Sequence, residues 1–320
     1  MIRDGQEAPL RASAASVYVR AVTYPTQAAP ATRTWLPLSA ALVSVCLWSS
    51  AFVGIRAAGR AFSPGALALG RLTLGSLLLG ALLLTRRWTR PSRRDVGLLL
   101  IAGLLWFGLY SVVLNEAERR VDAGTAAMLV NVGPIFLVAL AVVFLREPLS
   151  RALVIGGTVA FAGVVVIGLA TTSGTAPLSG VLLCLVAAFG YAAGVVAQKP
   201  VLGRLPALQV TWVCCTIGAL VCLPYAPALV RDFRAAPGSS IAWMAYLGVF
   251  PTSVAFTTWA YALARGTAGR MAALTYLVPP VTILMSWLVL GEVPGPVAVL
   301  GGAVCLVGVY IARRPPKRSA

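Results

Sequence analysis

The chain has 320 residues, 59% of them apolar and 11% charged, with a formal net charge of +17 and no histidine. Its mean hydropathy of +0.88 lies far outside the range of a soluble domain, and its apolar runs reach the roughly 20 residues that cross a bilayer as a helix. Backbone polar groups in lipid have to be satisfied within each span, which excludes an open sheet, so the expected fold class is an all-α membrane protein.

Residues 1–34 are basic and Pro/Ala-rich, without a long apolar run or a visible secretory signal. They read as a disordered cytoplasmic tail, or as the product of a start codon placed too far upstream. Ten transmembrane helices are expected, near 36–55, 64–84, 96–114, 124–145, 152–169, 180–197, 207–225, 241–263, 271–290 and 296–312, with a second short tail at 315–320. Ser63-Pro64 and Ser239-Ser240 read as helix starts. Pro134, Pro251, Pro279 and Pro280 fall inside spans, where they are expected to kink or break a helix.

The stretch around residues 124–163 occurs twice. Gly124, Pro134, Glu147, Gly156, Gly157 and Gly163 return as Gly269, Pro279, Glu292, Gly301, Gly302 and Gly308, always 145 residues later (279 − 134) and without a gap. Two copies of one unit are therefore expected, at 35–170 and 178–314.

Charge sets the orientation. With the N-terminus inside, the outer loops hold only Arg56, Arg60, Arg119, Arg120, Arg231 and Arg234, and Arg71 falls within a span. The other 19 of the 26 Lys and Arg are on the inner side. This is the positive-inside pattern, with both termini cytoplasmic in the plasma membrane. The basic excess is thus explained by topology, and no nucleic-acid partner is expected. Five spans per unit is an odd number, so the second copy enters the membrane upside down. Such inverted repeats are the architecture of many secondary transporters.

These residues resemble the drug/metabolite transporter superfamily, and within it the EamA-type ten-helix transporters. The resemblance rests on the LWSSAFVGIRAA stretch (Trp48 to Arg56), Pro64 with Arg71, and the paired segments ending at Glu147 and Glu292. It covers about 35–312. It implies ATP-independent export of a small metabolite or drug, often an amino acid or a related compound, and no GxxxxGK[ST] phosphate loop is present. At its first span the second copy carries GYAAGVVAQK in place of the Trp-Ser-Ser motif.

Arg71 is the only charge deep in a span, about 10 Å along the helix from Pro64. It reads either as an anion-binding group facing a cavity, or as an arginine that snorkels outward or pins helix-end carbonyls. Glu147 and Glu292 each end an apolar run, as residues that bond the start of another helix or as gating carboxylates. Asn131, and Thr275-Tyr276 at the equivalent place, sit just before the span prolines, where transporter sites tend to form. Alternatively they bond across helices as packing contacts. The span aromatics Trp48, Trp106, Tyr110 and Tyr191 are candidates for lining the substrate path, with Trp259 on a helix of the same kind.

All nine carboxylates lie in the tail, in loops or near span ends. Tight proton coupling is accordingly not expected, since proton relays need titratable groups along the path. The faces Gly156/Ala160/Gly163 and Gly301/Cys305/Gly308 are small and permit close helix contact, within the chain or at a homodimer seam. The six cysteines form no CxxC, so neither a metal nor a cofactor is expected. An intramembrane enzyme is disfavoured because Ser49, Ser50 and Ser253 have no histidine or buried acid to activate them. A lipid-carrier flippase on the same fold is the closer alternative to a small-molecule exporter.

Overall fold

The apolar runs fold as helices, and the described residues contain no strand. The structure is a computed structural model that describes residues 35–121, 126, 129–171, 177–290 and 295–313. Both expected tails, the landmark Gly124 and the carboxylate Glu292 lie outside the described residues.

Helix α1 spans Trp35–Gly59 and α2 Pro64–Leu83, the latter opening at Ser63-Pro64 as expected. Proline fits there because the first turn has no N–H partner to lose. Helix α3 (Arg93–Ala117) starts in a capping box. Ser92 Oγ accepts from the Asp95 amide at 3.1 Å, and the Asp95 carboxylate accepts from the Ser92 amide at 3.0 Å. Then follow α4 (Gly133–Leu145), α5 (Arg151–Thr171), α6 (Leu178–Val201), α7 (Ala207–Val221), α8 (Ala226–Ala235), α9 (Gly238–Arg265), α10 (Ala268–Thr275), α11 (Val278–Leu290) and α12 (Pro296–Ala312). Among the described residues, α1, α2, α3, α6 and α9 are each long and apolar enough to cross a membrane. α7 and Leu223–Ala235, bent by 52°, make a sixth if taken as one broken span.

Several expectations are corrected or refined. The seventh span stops at Val221, because Pro224 cannot continue a helix, and residues expected as loop form α8 at an angle to α7. Asp232 of α8 accepts from both the amide and the hydroxyl of Ser63, each at 2.8 Å. Helix α9 begins at Gly238 behind an extended Pro237, so Ser239 and Ser240 lie inside its first turn rather than before it. The break expected at Pro134, Pro279 and Pro280 lies upstream of them, at Asn131-Val132 and Tyr276-Leu277. Pro134 and Pro279 are the second residues of α4 and α11. A proline ring clashes with the carbonyl four residues earlier, here Val130 and Thr275, which opens the chain just before the proline's own helix begins. Finally, Pro251 sits in a π-helical stretch of α9, Gly248–Val254. Its partner stretch in α3, Gly103–Leu109, lies 145 residues earlier (248 − 103).

Helix α1 packs on α9, and α6 packs on α3 and α4. The π-helical turn of α3 nests on Gly194 of α6, where a Cβ would stand 2.5 Å from Trp106 Cβ. α5 and α12 run antiparallel: a Cβ on Gly156 would meet Ala312 N at 2.2 Å, while one on Gly163 would meet Cys305 N at 2.6 Å. Cys305 Sγ donates to Ala160 O at 3.3 Å. The two small-residue faces are therefore occupied by each other within one chain. The homodimer seam expected on them is not a free surface.

Candidate functional site

The Trp-Ser-Ser motif of α1 ties three elements together. Trp48 Nε1 donates to Pro251 O at 3.3 Å, in the π-helical stretch of α9. Ser49 Oγ reaches Val278 O at 3.1 Å, beside the break between α10 and α11. Ser50 Oγ shares a hydrogen bond with Tyr246 Oη at 2.7 Å. Successive residues on a helix point about 100° apart, so one short motif serves three partners.

Between these elements lies a cavity of ≈ 80 Å³, room for roughly five waters at 10–15 Å³ each. It is lined by Arg71, Asn131, Thr275, Trp48, Trp106, Tyr110 and Tyr191, with Pro134 and Pro251. Tyr276, Pro279 and Pro280 are not among the lining residues. With Thr275 facing the cavity, Tyr276 one residue on is rotated away. Its ring stands 6.3 Å from Phe161, and it lines an apolar groove between α4 and α5. Val278, next to Pro279, is among the lining residues.

Arg71 is 4% exposed and faces this cavity rather than the interface. Its Nη2 donates to Ser111 Oγ at 3.1 Å, while Nε has no partner among the described residues. A guanidinium offers five donors in a planar fork that matches a carboxylate. The cavity thus presents a fixed cation with no acid among its described lining residues, together with the Asn131 amide. The Thr275 hydroxyl donates to its own helix at Ala272 O, 2.7 Å away, and keeps acceptor capacity.

The apolar wall is an aromatic cluster. Phe256 lies 4.8 Å from Trp106 and 5.5 Å from Trp48, centroid to centroid, and Trp106 lies 5.6 Å from Tyr191. Trp259, fully buried, backs Trp48 at 4.9 Å. Sequence reading missed Phe256 and Ser111. Neither carries a signal beyond lying in an apolar run, and only the neighbouring helices give them a role.

Glu147 accepts from the amides of Ala268 at 2.8 Å and Gly269 at 3.1 Å. It thereby caps α10 and favours the positive end of that helix. Glu118 departs from the expectation for loop carboxylates. It follows α3 directly, yet both its oxygens are buried and accept no hydrogen bond among the described residues. Among the described residues no group of His, Cys, Asp and Glu is arranged to hold a metal.

Comparison with known proteins agrees with this architecture. The model of the EamA-like transporter family matches twice, over residues 35–169 and 178–314. A "Probable terminal-alkyne amino-acid exporter" of Streptantibioticus cattleyicolor is 36% identical over 281 residues, 86% of this chain and 92% of that one. An "Uncharacterized transporter YdfC" of Bacillus subtilis is 31% identical over 82% of this chain and 86% of its own. A "Probable amino-acid metabolite efflux pump" of Salmonella typhimurium is 26% identical over 69% and 78%. A solved crystal structure superposes with a TM-score of 0.71 over 87% of this chain and 96% of that one, at 23% identity, a likeness of fold. On the two family matches and the 36% relative, the chain belongs to the EamA-like transporter family.

Proposed function

We propose that the protein is an ATP-independent secondary carrier that exports a small amino-acid-type metabolite by alternating access. In this reading it sits in the plasma membrane with both termini cytoplasmic, as two inverted repeats of five helices each. The observation that carries the reading is the cavity, where one buried guanidinium stands beside the Asn131 amide and the Thr275 hydroxyl inside aromatic walls. A carboxylate on Arg71 would complete a buried charge that otherwise has a single partner, and the aromatic walls suit an apolar side chain. The two helix breaks, the two π-helical stretches at one offset and the antiparallel α5–α12 seam support the inverted arrangement. The names of the S. cattleyicolor and S. typhimurium relatives support export of amino-acid compounds.

The test is efflux of amino acids from cells expressing the protein, with counterflow in vesicles to separate a carrier from a pore. Saturable exchange is expected. Arg71→Ala is expected to lower it about 10–100-fold, from the roughly 1.5–3 kcal/mol of a hydrogen bond to a charged group. Arg71→Lys should recover part of the loss. Full transport by both Arg71→Ala and Asn131→Ala would overturn the site.

A further inference from the structure

We propose a second site on the path outward from the Arg71 cavity: Glu118 and Asn115 bind the amino group of a zwitterionic cargo, which the arginines around them hold by its carboxylate. This deepens the amino-acid reading above and rests on it, including the orientation that puts the end of α3 at the outer face.

Ser111 and Asn115 of α3 and Glu118, which caps its C-terminal end in helical conformation, stand at i, i+4 and i+7 and so share one face. At the inner end of this face Ser111 receives Arg71. One turn on, Asn115 is 3% exposed, and its Nδ2 donates to Pro64 O at 3.0 Å. That bond fixes the amide, and Oδ1 is buried with no donor. The next residue on the face is Glu118, whose two carboxylate oxygens are likewise buried without a donor. Asn115 and Glu118 line one pocket with Arg56 of α1, Arg60 just past its end, and Arg119. Three buried acceptors in one place, with no donor among the described residues, are costly whenever Glu118 is ionised. An ammonium group brings three N–H donors and a positive charge. A simple amine would be repelled by three arginines on the same wall, whereas a zwitterion brings them a carboxylate.

The groups around Glu118 are Arg56 from α1 and Arg60 just past it, Arg71 from α2, Tyr110 from α3, the neighbouring Arg119, and Cys184 from α6. Glu116 is engaged by Arg120 at 2.7 Å. Burial pushes the Glu118 carboxyl up to about 8, against the opposing pull of Arg56 and Arg71. On this proposal the empty site is protonated at pH 7, and an arriving ammonium displaces that proton into solvent.

The experiment is titration calorimetry on the full chain in nanodiscs at pH 7, in two buffers of different ionisation enthalpy. The probes are L-leucine and 4-methylpentanoate, which is leucine without its amino group. The proposal expects close to one proton released per L-leucine bound and none with 4-methylpentanoate. Glu118→Gln should bind L-leucine at least about tenfold more weakly with no proton release. Glu118→Asp should restore the release, and Arg71→Ala should weaken binding while keeping it. If Glu118→Gln still releases the proton or keeps wild-type affinity, the site is wrong. A wild type that binds both probes alike without a proton leaves the Arg71 cavity standing and overturns the Glu118 site. A wild type that binds neither overturns the amino-acid reading and this site with it.

Discussion

Replacing Gly308 by alanine adds one methyl group where the α5–α12 seam has no room for it. The new Cβ would stand 2.2 Å from Ala160 N, 2.6 Å from its Cα and 2.7 Å from its Cβ. Favourable contact between carbons begins near 3.5 Å, and two of these three atoms are backbone, so no rotamer change relieves the clash. The helices have to part by about 1 Å, which stretches the 3.3 Å contact from Cys305 Sγ to Ala160 O in the same turn. Overpacking of this kind costs about 1–3 kcal/mol. Gly156→Ala repeats the experiment from the other side, 2.2 Å from Ala312 N and 2.5 Å from Gly308 O. Gly157→Ala is the control: nothing lies within 4 Å of its Cβ, and alanine favours a helix over glycine by up to about 1 kcal/mol. Thermal unfolding of the full chain in detergent, followed by the fluorescence of its 8 tryptophans, should separate the two classes. Gly308→Ala and Gly156→Ala should unfold several degrees lower, at on the order of 2–4 °C per kcal/mol, and Gly157→Ala no lower than wild type. Equal midpoints for Gly308→Ala and Gly157→Ala would refute the seam. If Gly308→Ala instead converted a dimer to a monomer in light scattering, the seam would belong between chains.

Two further outcomes follow from capping. Glu147→Ala removes the acceptor of the Ala268 and Gly269 amides and should destabilise the chain by about 1–2 kcal/mol, with Glu147→Gln recovering part. The check is the same unfolding assay, and an unchanged midpoint would mean that α10 is not held from Glu147. Asp95→Ala breaks the capping box of α3 and removes its ion pair with Arg204. A loss of about 1–2 kcal/mol is expected, and denaturant-induced unfolding that matches wild type would count against it.

Much of the architecture was legible because it depends on local chemistry. A run of apolar residues long enough for a bilayer and a Ser-Pro pair at a helix start act through their immediate neighbours. The breaks near Pro134 and Pro279 were legible to within three residues, since a proline disrupts the turn before it wherever it occurs. The positions that were misread depend on other helices. Tyr276 and Thr275 share a short segment, and which of the two faces the cavity is set by how α10 is rotated against its neighbours. Phe256 and Ser111 acquire a role only because Trp106 and Arg71 come to them from α3 and α2.

The amino-acid sequence by itself determined the membrane class, the 145-residue period and the presence of one charge deep in a span. Each of these follows from composition, or from spacing along a single chain. Only the tertiary structure decided that the two glycine faces are spent on each other, and that Arg71 shares a cavity with Asn131 and Thr275. It also decided that the oxygens of Glu118, one residue past the end of α3, lie buried without a donor. The reason is that burial and partnering belong to the surfaces that cover a residue, and those surfaces come from helices distant in the chain.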